Sequence, residues 1–121
     1  MNIELSRFRV RPGQMPLVEE WLGFLNQNMD AVLQTLDGEN MLVETIFSEH
    51  HDGADYLYWF SIQGEGGADV RESKHWVDEK HLEYWRACID DSYAHVDLAP
   101  RVTMIPARVM DTLTASGHPS V

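Results

Sequence analysis

The seven residues Tyr56-Leu57-Tyr58-Trp59-Phe60-Ser61-Ile62 limit the possible folds more than any other stretch, because they are largely apolar on both alternating faces. A strand with one face in water alternates apolar and polar residues, so this run is expected to be covered on both sides. A chain of 121 residues is expected to form one domain, with too few helices to cover a sheet twice. The second cover is therefore expected from another copy of the chain.

The rest of the pattern supplies the other elements. Asn2 to Val10 is predicted as the first strand, closed by Arg11-Pro12-Gly13. From Gln14 to Leu36, apolar residues at 15, 18, 22, 25, 29, 32, 33 and 36 trace one face of a single long helix. Pro16 suits its first turn, and Asp37-Gly38 is its expected stop, with the glycine at positive φ. Asn40 to Glu49 reads as the second strand, His50 to Ala54 as a hairpin turn and Asp55 to Gln63 as the third strand. A glycine-rich loop from Gly64 to Gly67 leads toward a second helix at about His75 to Asp91. Val96 to Ile105 is predicted as the fourth strand, broken or pushed to an edge by Pro100. Residues 1–106 thus form the expected domain, and 107–121 are expected to be a flexible C-terminal tail.

The order β-α-β-β-α-β is that of the ferredoxin-like unit, an α+β fold whose antiparallel sheet takes both helices on one face. The bare face opposite matches the two-sided apolar third strand. A homodimer joined through that face is the expected assembly.

Charge narrows the partners. Nine Lys and Arg against twenty Asp and Glu give a net charge of −11. Such a surface repels phosphate backbones and anionic lipid heads, so neither nucleic acid nor a membrane surface is expected as a partner. No apolar run approaches the roughly 18 residues of a membrane span, and the first residues read as a strand rather than a signal peptide. The single cysteine, Cys88, rules out an intrachain disulfide and a cysteine-based zinc site, and a cytoplasmic location is the expected one.

The chain also resembles the dimeric α/β-barrel superfamily, and within it a group of short bacterial proteins of unknown function. The residues that carry the likeness are Arg11-Pro12-Gly13 after the opening strand, Trp21-Leu22, Glu44-Thr45-Ile46-Phe47, Tyr56-Leu57-Tyr58-Trp59 and His81-Leu82-Glu83-Tyr84-Trp85. It spans about residues 2 to 106. The superfamily includes small monooxygenases, sugar mutarotases, stress-response proteins and haem-processing relatives, and the resemblance implies a dimeric barrel with a small-molecule pocket. His81 to Trp85 is similar to the aromatic-rich second helix of the mutarotases. The first helix here has no histidine, whereas mutarotases use a His and Tyr pair in that region.

Several residues are candidates for chemistry, each beside a plainer role. Asp78, His81 and Trp85 fall on one helix face, where the carboxylate raises the imidazole's basicity and the indole offers a stacking wall. The plainer reading is a core Trp85 beside a solvated Asp78–His81 pair. Glu44 is a lone acid in a nearly apolar strand, either a pocket acid or half of an ion pair with Arg7 or Arg9. Tyr58 offers a hydroxyl to a ligand, or is an interface aromatic. His81, Glu44 and Tyr58 are thus the candidate catalytic residues, and Trp85, Asp78 and Arg7 the candidate ligand contacts. His75 and His81 are six apart and do not share a helix face, so no metal is expected, and no cofactor motif is present. Three classes remain open: an enzyme with His81 as acid or base, a binding protein without turnover, and a structural dimer.

Overall fold

A computed structural model describes residues 1–116. β1 (Asn2–Arg9), β2 (Met41–His51), β3 (Ala54–Gln63) and β4 (Val96–Leu98) form one antiparallel sheet in the order β2-β3-β1-β4. Within the chain this sheet is open, with β2 and β4 at its edges, and does not close into a barrel. The helices α1 (Met15–Gln27), α2 (Met29–Gly38) and α3 (Trp76–Cys88) connect the strands, and α4 (Ala107–Ser116) follows them.

The hairpin between β2 and β3 is tighter than the sequence pattern indicated. Only Asp52 and Gly53 lie outside the ladder, at φ 50° and 74°. Positive φ at both central residues is the geometry that matches strand twist, and Asp-Gly is the pair that tolerates it. The pairing that follows fixes every face. Glu44 stands opposite Ser61, Ile46 opposite Trp59 and Leu57 opposite Phe8, all on one side. Phe47 opposite Tyr58, and Arg7 opposite Tyr58 from the other neighbour, define the reverse side.

The core forms where the first side meets the helices. Val18 and Trp21 from α1, Leu57 from β3 and Tyr84 and Cys88 from α3 are buried together, joined by Val10 and Ile89. Burying a side chain of the size of Leu57 contributes roughly 1.5–3 kcal/mol. Val10 and Ile89 form an isolated bridge just past β1 and α3, which pins the end of the second crossover to the sheet.

The expected single helix over 14–36 is two helices. At Asn28 the side-chain amide donates to the Phe24 carbonyl at 2.8 Å, and the backbone N–H donates to the same oxygen at 3.1 Å. A short amide that bonds its own backbone competes with the helical ladder, and the chain turns there. The apolar stripe therefore divides: Val32 and Leu36 turn toward the sheet, whereas Leu33 and Met29 stay exposed. Gly38 remains helical, and Asn40, at φ 51°, is the residue that takes the left-handed conformation instead.

The last elements also depart from expectation. β4 covers Val96–Leu98 alone, because Pro100 has no N–H to continue the ladder against β1. The chain leaves the sheet there with Val102 74% and Met104 84% exposed. Part of the expected tail is the helix α4, and residues 117–121 lie outside the described residues.

Candidate functional site

A cavity of about 400 Å³ lies between the helices and the sheet, within the size range of small-molecule sites. Every layer contributes to its wall: Val32 and Leu36 from α2, Glu44 from β2, Trp59 from β3, Asp78 and His81 from α3, and the loop Gly67 to Val70. A second cavity of about 700 Å³, bordered by Phe8, Trp85, Arg71 and Arg86, shares Glu44, Trp59, Val70 and His81 with the first. Those shared residues stand as a partition between the two.

The glycine loop closes the first cavity at one end. A Cβ on Gly67 would sit 1.7 Å from the Glu39 carbonyl oxygen, so only glycine allows the loop backbone to lie this close to the end of α2. Gly64 N–H donates to Asn40 O at 2.8 Å and Ala68 N–H to Gly38 O at 3.1 Å, which hold the loop over that junction.

Glu39 and Asp78 are 8% and 5% exposed, yet Glu39 Oε1 and Asp78 Oδ2 have no hydrogen-bond partner among the described residues. Burial, reinforced by the charges of Asp78, Glu44 and Asp69, pushes the Glu39 carboxyl up to about 7. Glu44 accepts a hydrogen bond from Trp59 Nε1 at 3.0 Å and stays open to solvent at the mouth of the cavity. Desolvation by the surrounding protein still raises its carboxyl, against the lowering effect of the indole bond. Arg7 and Arg9, the expected partners of Glu44, are on the other side of the sheet, over the rings of Tyr56 and Tyr93.

His81 differs from expectation in its chemistry. The buried Trp21 donates its indole N–H to His81 Nδ1 at 3.0 Å. An indole nitrogen only donates, so Nδ1 must accept, and the neutral ring carries its proton on Nε2. Burial lowers the imidazole to about 4, and the opposing charge of Asp78 is the smaller effect. His81 is therefore a neutral hydrogen-bond donor at pH 7 rather than a base poised there, because desolvation outweighs the neighbouring carboxylate.

The structure thus brings together Glu44, Asp78, His81 and Trp85 around the two cavities. It does not bring Tyr58 or Arg7 with them. Tyr58 projects from the reverse side of β3, where its hydroxyl donates to Glu49 at 2.7 Å and its ring lines a shallow apolar depression with Leu5, Phe47 and Phe60. Strand alternation requires this: Tyr58 neighbours Trp59, so only one of them faces the helices.

Glu39, Trp21 and Trp59 belong to the site although the sequence pattern did not single them out for it. Trp59 is reachable from alternation once Glu44 is placed, through the register that pairs Ile46 with Trp59. Glu39 sits between Gly38 and Asn40, with no local pattern that marks it as buried; the distant Gly67 packs against its backbone. Among the described residues, no group of three His, Cys, Asp or Glu side chains stands close enough to hold a metal ion.

The span that builds both cavities lies inside the match to one family model, which covers residues 1–111. The chain belongs to DUF6176, a family of unknown function. No curated protein and no solved structure matches it. For this DUF6176 member the site geometry is therefore the ground for a functional reading. Among the described residues, no helix is long and apolar enough to cross a membrane.

Proposed function

We propose that this DUF6176 protein is a homodimer of the dimeric α/β-barrel type that binds a small molecule with a polar head and an apolar or aromatic body. The cavity between helices and sheet is its site. The observation that carries this reading is the pair of unpartnered oxygens, Glu39 Oε1 and Asp78 Oδ2, on nearly buried side chains lining a cavity with an indole wall. Leaving a buried acceptor unsatisfied costs roughly 1–3 kcal/mol, a cost that a bound donor would remove.

The dimer is supported by the reverse side of the sheet. Leu5, Phe47, Tyr58 and Phe60 form an apolar depression there, with Phe47 55% exposed, and none of the four belongs to the core cluster under the helices. The strand order β2-β3-β1-β4 is compatible with the ferredoxin-like unit that this reading requires.

Should the site catalyse a reaction, Glu39 is a better proton carrier than His81, since a group near pH 7 both gives and takes a proton at neutral pH. A fragment screen followed by two-dimensional NMR tests the site. Binders are expected to shift the backbone signals of Glu39, Gly67, Asp78 and His81 together. Hits confined to the opposite sheet face, or none at all, would sink the proposal.

A further inference from the structure

We propose that the head group this cavity accepts is an organic ammonium ion, held between Glu39 and Asp78 with its body against Trp59. The inference rests on the ligand-site reading above and narrows it to one chemical class.

Charge is the first ground. Glu39, Glu44, Asp69 and Asp78 all line the cavity, and among the described residues no lysine or arginine does. Arg71, beside the loop, has its guanidinium committed to Asp69 at 2.7 Å. The second ground is independent of the first. Two of these carboxyls are more than nine-tenths buried in the cavity wall, and each has an oxygen without a hydrogen-bond partner among the described residues. Asp78 Oδ2 accepts, and so does Glu39 Oε1 once Glu39 is ionised; a positive donor satisfies both and relieves the mutual repulsion of the acids.

Chemistry then separates the possible cations. An inorganic ion needs several ligating groups at bonding distance, and no three His, Cys, Asp or Glu side chains among the described residues supply them. An alkylammonium needs only acceptors for its N–H groups and an apolar wall for its chain. Leu25, Val32, Leu36, Met41 and Val77 provide that wall, and the face of Trp59 is suited to a cation. A bound ammonium also favours ionised Glu39, so binding near pH 7 should release a proton.

Isothermal titration of the full chain in 0.15 M salt, with three probes of like shape, tests this. 2-Phenylethylammonium is expected to bind saturably, one per chain, with a heat that varies with the ionisation enthalpy of the buffer. 2-Phenylethanol and 3-phenylpropionate are expected to bind at least tenfold more weakly. Glu39→Gln and Asp78→Asn should each weaken the ammonium at least tenfold, whereas Asp111→Asn, an equal charge change on an exposed helix, should leave it unaltered. Thermal unfolding of each variant establishes that it is folded. Equal or tighter binding of the alcohol or the anion would overturn the ammonium proposal and leave the ligand site standing. Ammonium binding indifferent to both cavity variants would place it elsewhere on the acidic surface and overturn the proposal too. Failure of all three probes would overturn the proposal together with the site reading beneath it.

Discussion

Glu39 and His81 face one cavity with oppositely displaced protonation, and the two displacements make opposite demands on stability. The folded chain holds the Glu39 proton up to about pH 7, whereas the unfolded chain releases it near 4.5. Stability from this residue is therefore full below pH 4.5 and declines as the pH rises toward 7. For His81 the folded value of about 4 lies below the ordinary 6.5, so its contribution is full above pH 6.5 and declines as the pH falls toward 4. The slopes oppose one another between those limits. Glu39→Gln removes one of them. Its stability gain over the parent should be small below pH 4.5, grow through pH 7 and then level at about 1–3 kcal/mol, as paired thermal unfolding curves across pH will show. The indole bond to His81 gives a second test at this scale. His81→Phe leaves the Trp21 N–H buried and unpaired and should cost roughly 1–3 kcal/mol, whereas His81→Gln, which keeps an acceptor, should cost less. A like cost for both would mean that the ring packing, and not the hydrogen bond, holds Trp21.

At the scale of elements, the glycine loop and the end of α2 act as one unit. Gly67→Ala forces Cβ into the Glu39 backbone, which has no flexible end to yield, so the loop must lift. Rehydration of Glu39 should follow, and its carboxyl should titrate nearer 4.5 in an NMR titration; an unmoved value would show that the loop is not what buries it. This coupling also explains what the sequence could and could not reveal. Strand alternation placed Glu44 and Trp59 correctly relative to their neighbours, and helical spacing put Asp78, His81 and Trp85 on one helix face, because both follow from local geometry. The break at Asn28 has no proline or glycine to announce it; it comes from one side-chain hydrogen bond. Pro100 announced a break or an edge, and the strand ends two residues before it. Glu39 is buried beside a loop whose Gly67, 28 positions away, lies against its backbone, and no local pattern carries that.

For the whole molecule, the two sides of the sheet have different tasks. One side supports the cavities, and the other carries Leu5, Phe47, Tyr58 and Phe60. Phe47→Lys, on an already exposed side chain, should halve the mass found by light scattering while leaving the far-ultraviolet dichroism unaltered. A parent chain that is monomeric at micromolar concentration would remove the proposed assembly. The segment after β4 gives a further expectation. Its exposed Val102 and Met104 are outside the sheet, so polar substitutions there should leave the monomer's stability within about 0.5 kcal/mol of the parent.

The three indoles around the partition have an optical consequence. Trp21, Trp59 and Trp85 lie with ring centroids 5.2 to 6.0 Å apart, at steep mutual angles for the pairs that involve Trp85. At that separation their transition dipoles couple, and skewed coupled dipoles split a circular-dichroism band into a couplet of opposite signs. Excitation should also migrate within the trio and leave from its lowest-energy member, while the exposed Trp76 should emit as a separate, water-relaxed species. Two members of the trio, Trp59 and Trp85, border the cavities. Trp59→Phe leaves only the Trp21–Trp85 pair, so the couplet should change in shape and lose amplitude with the fold intact, and in the parent chain it should report, without any label, whether the cavity is filled.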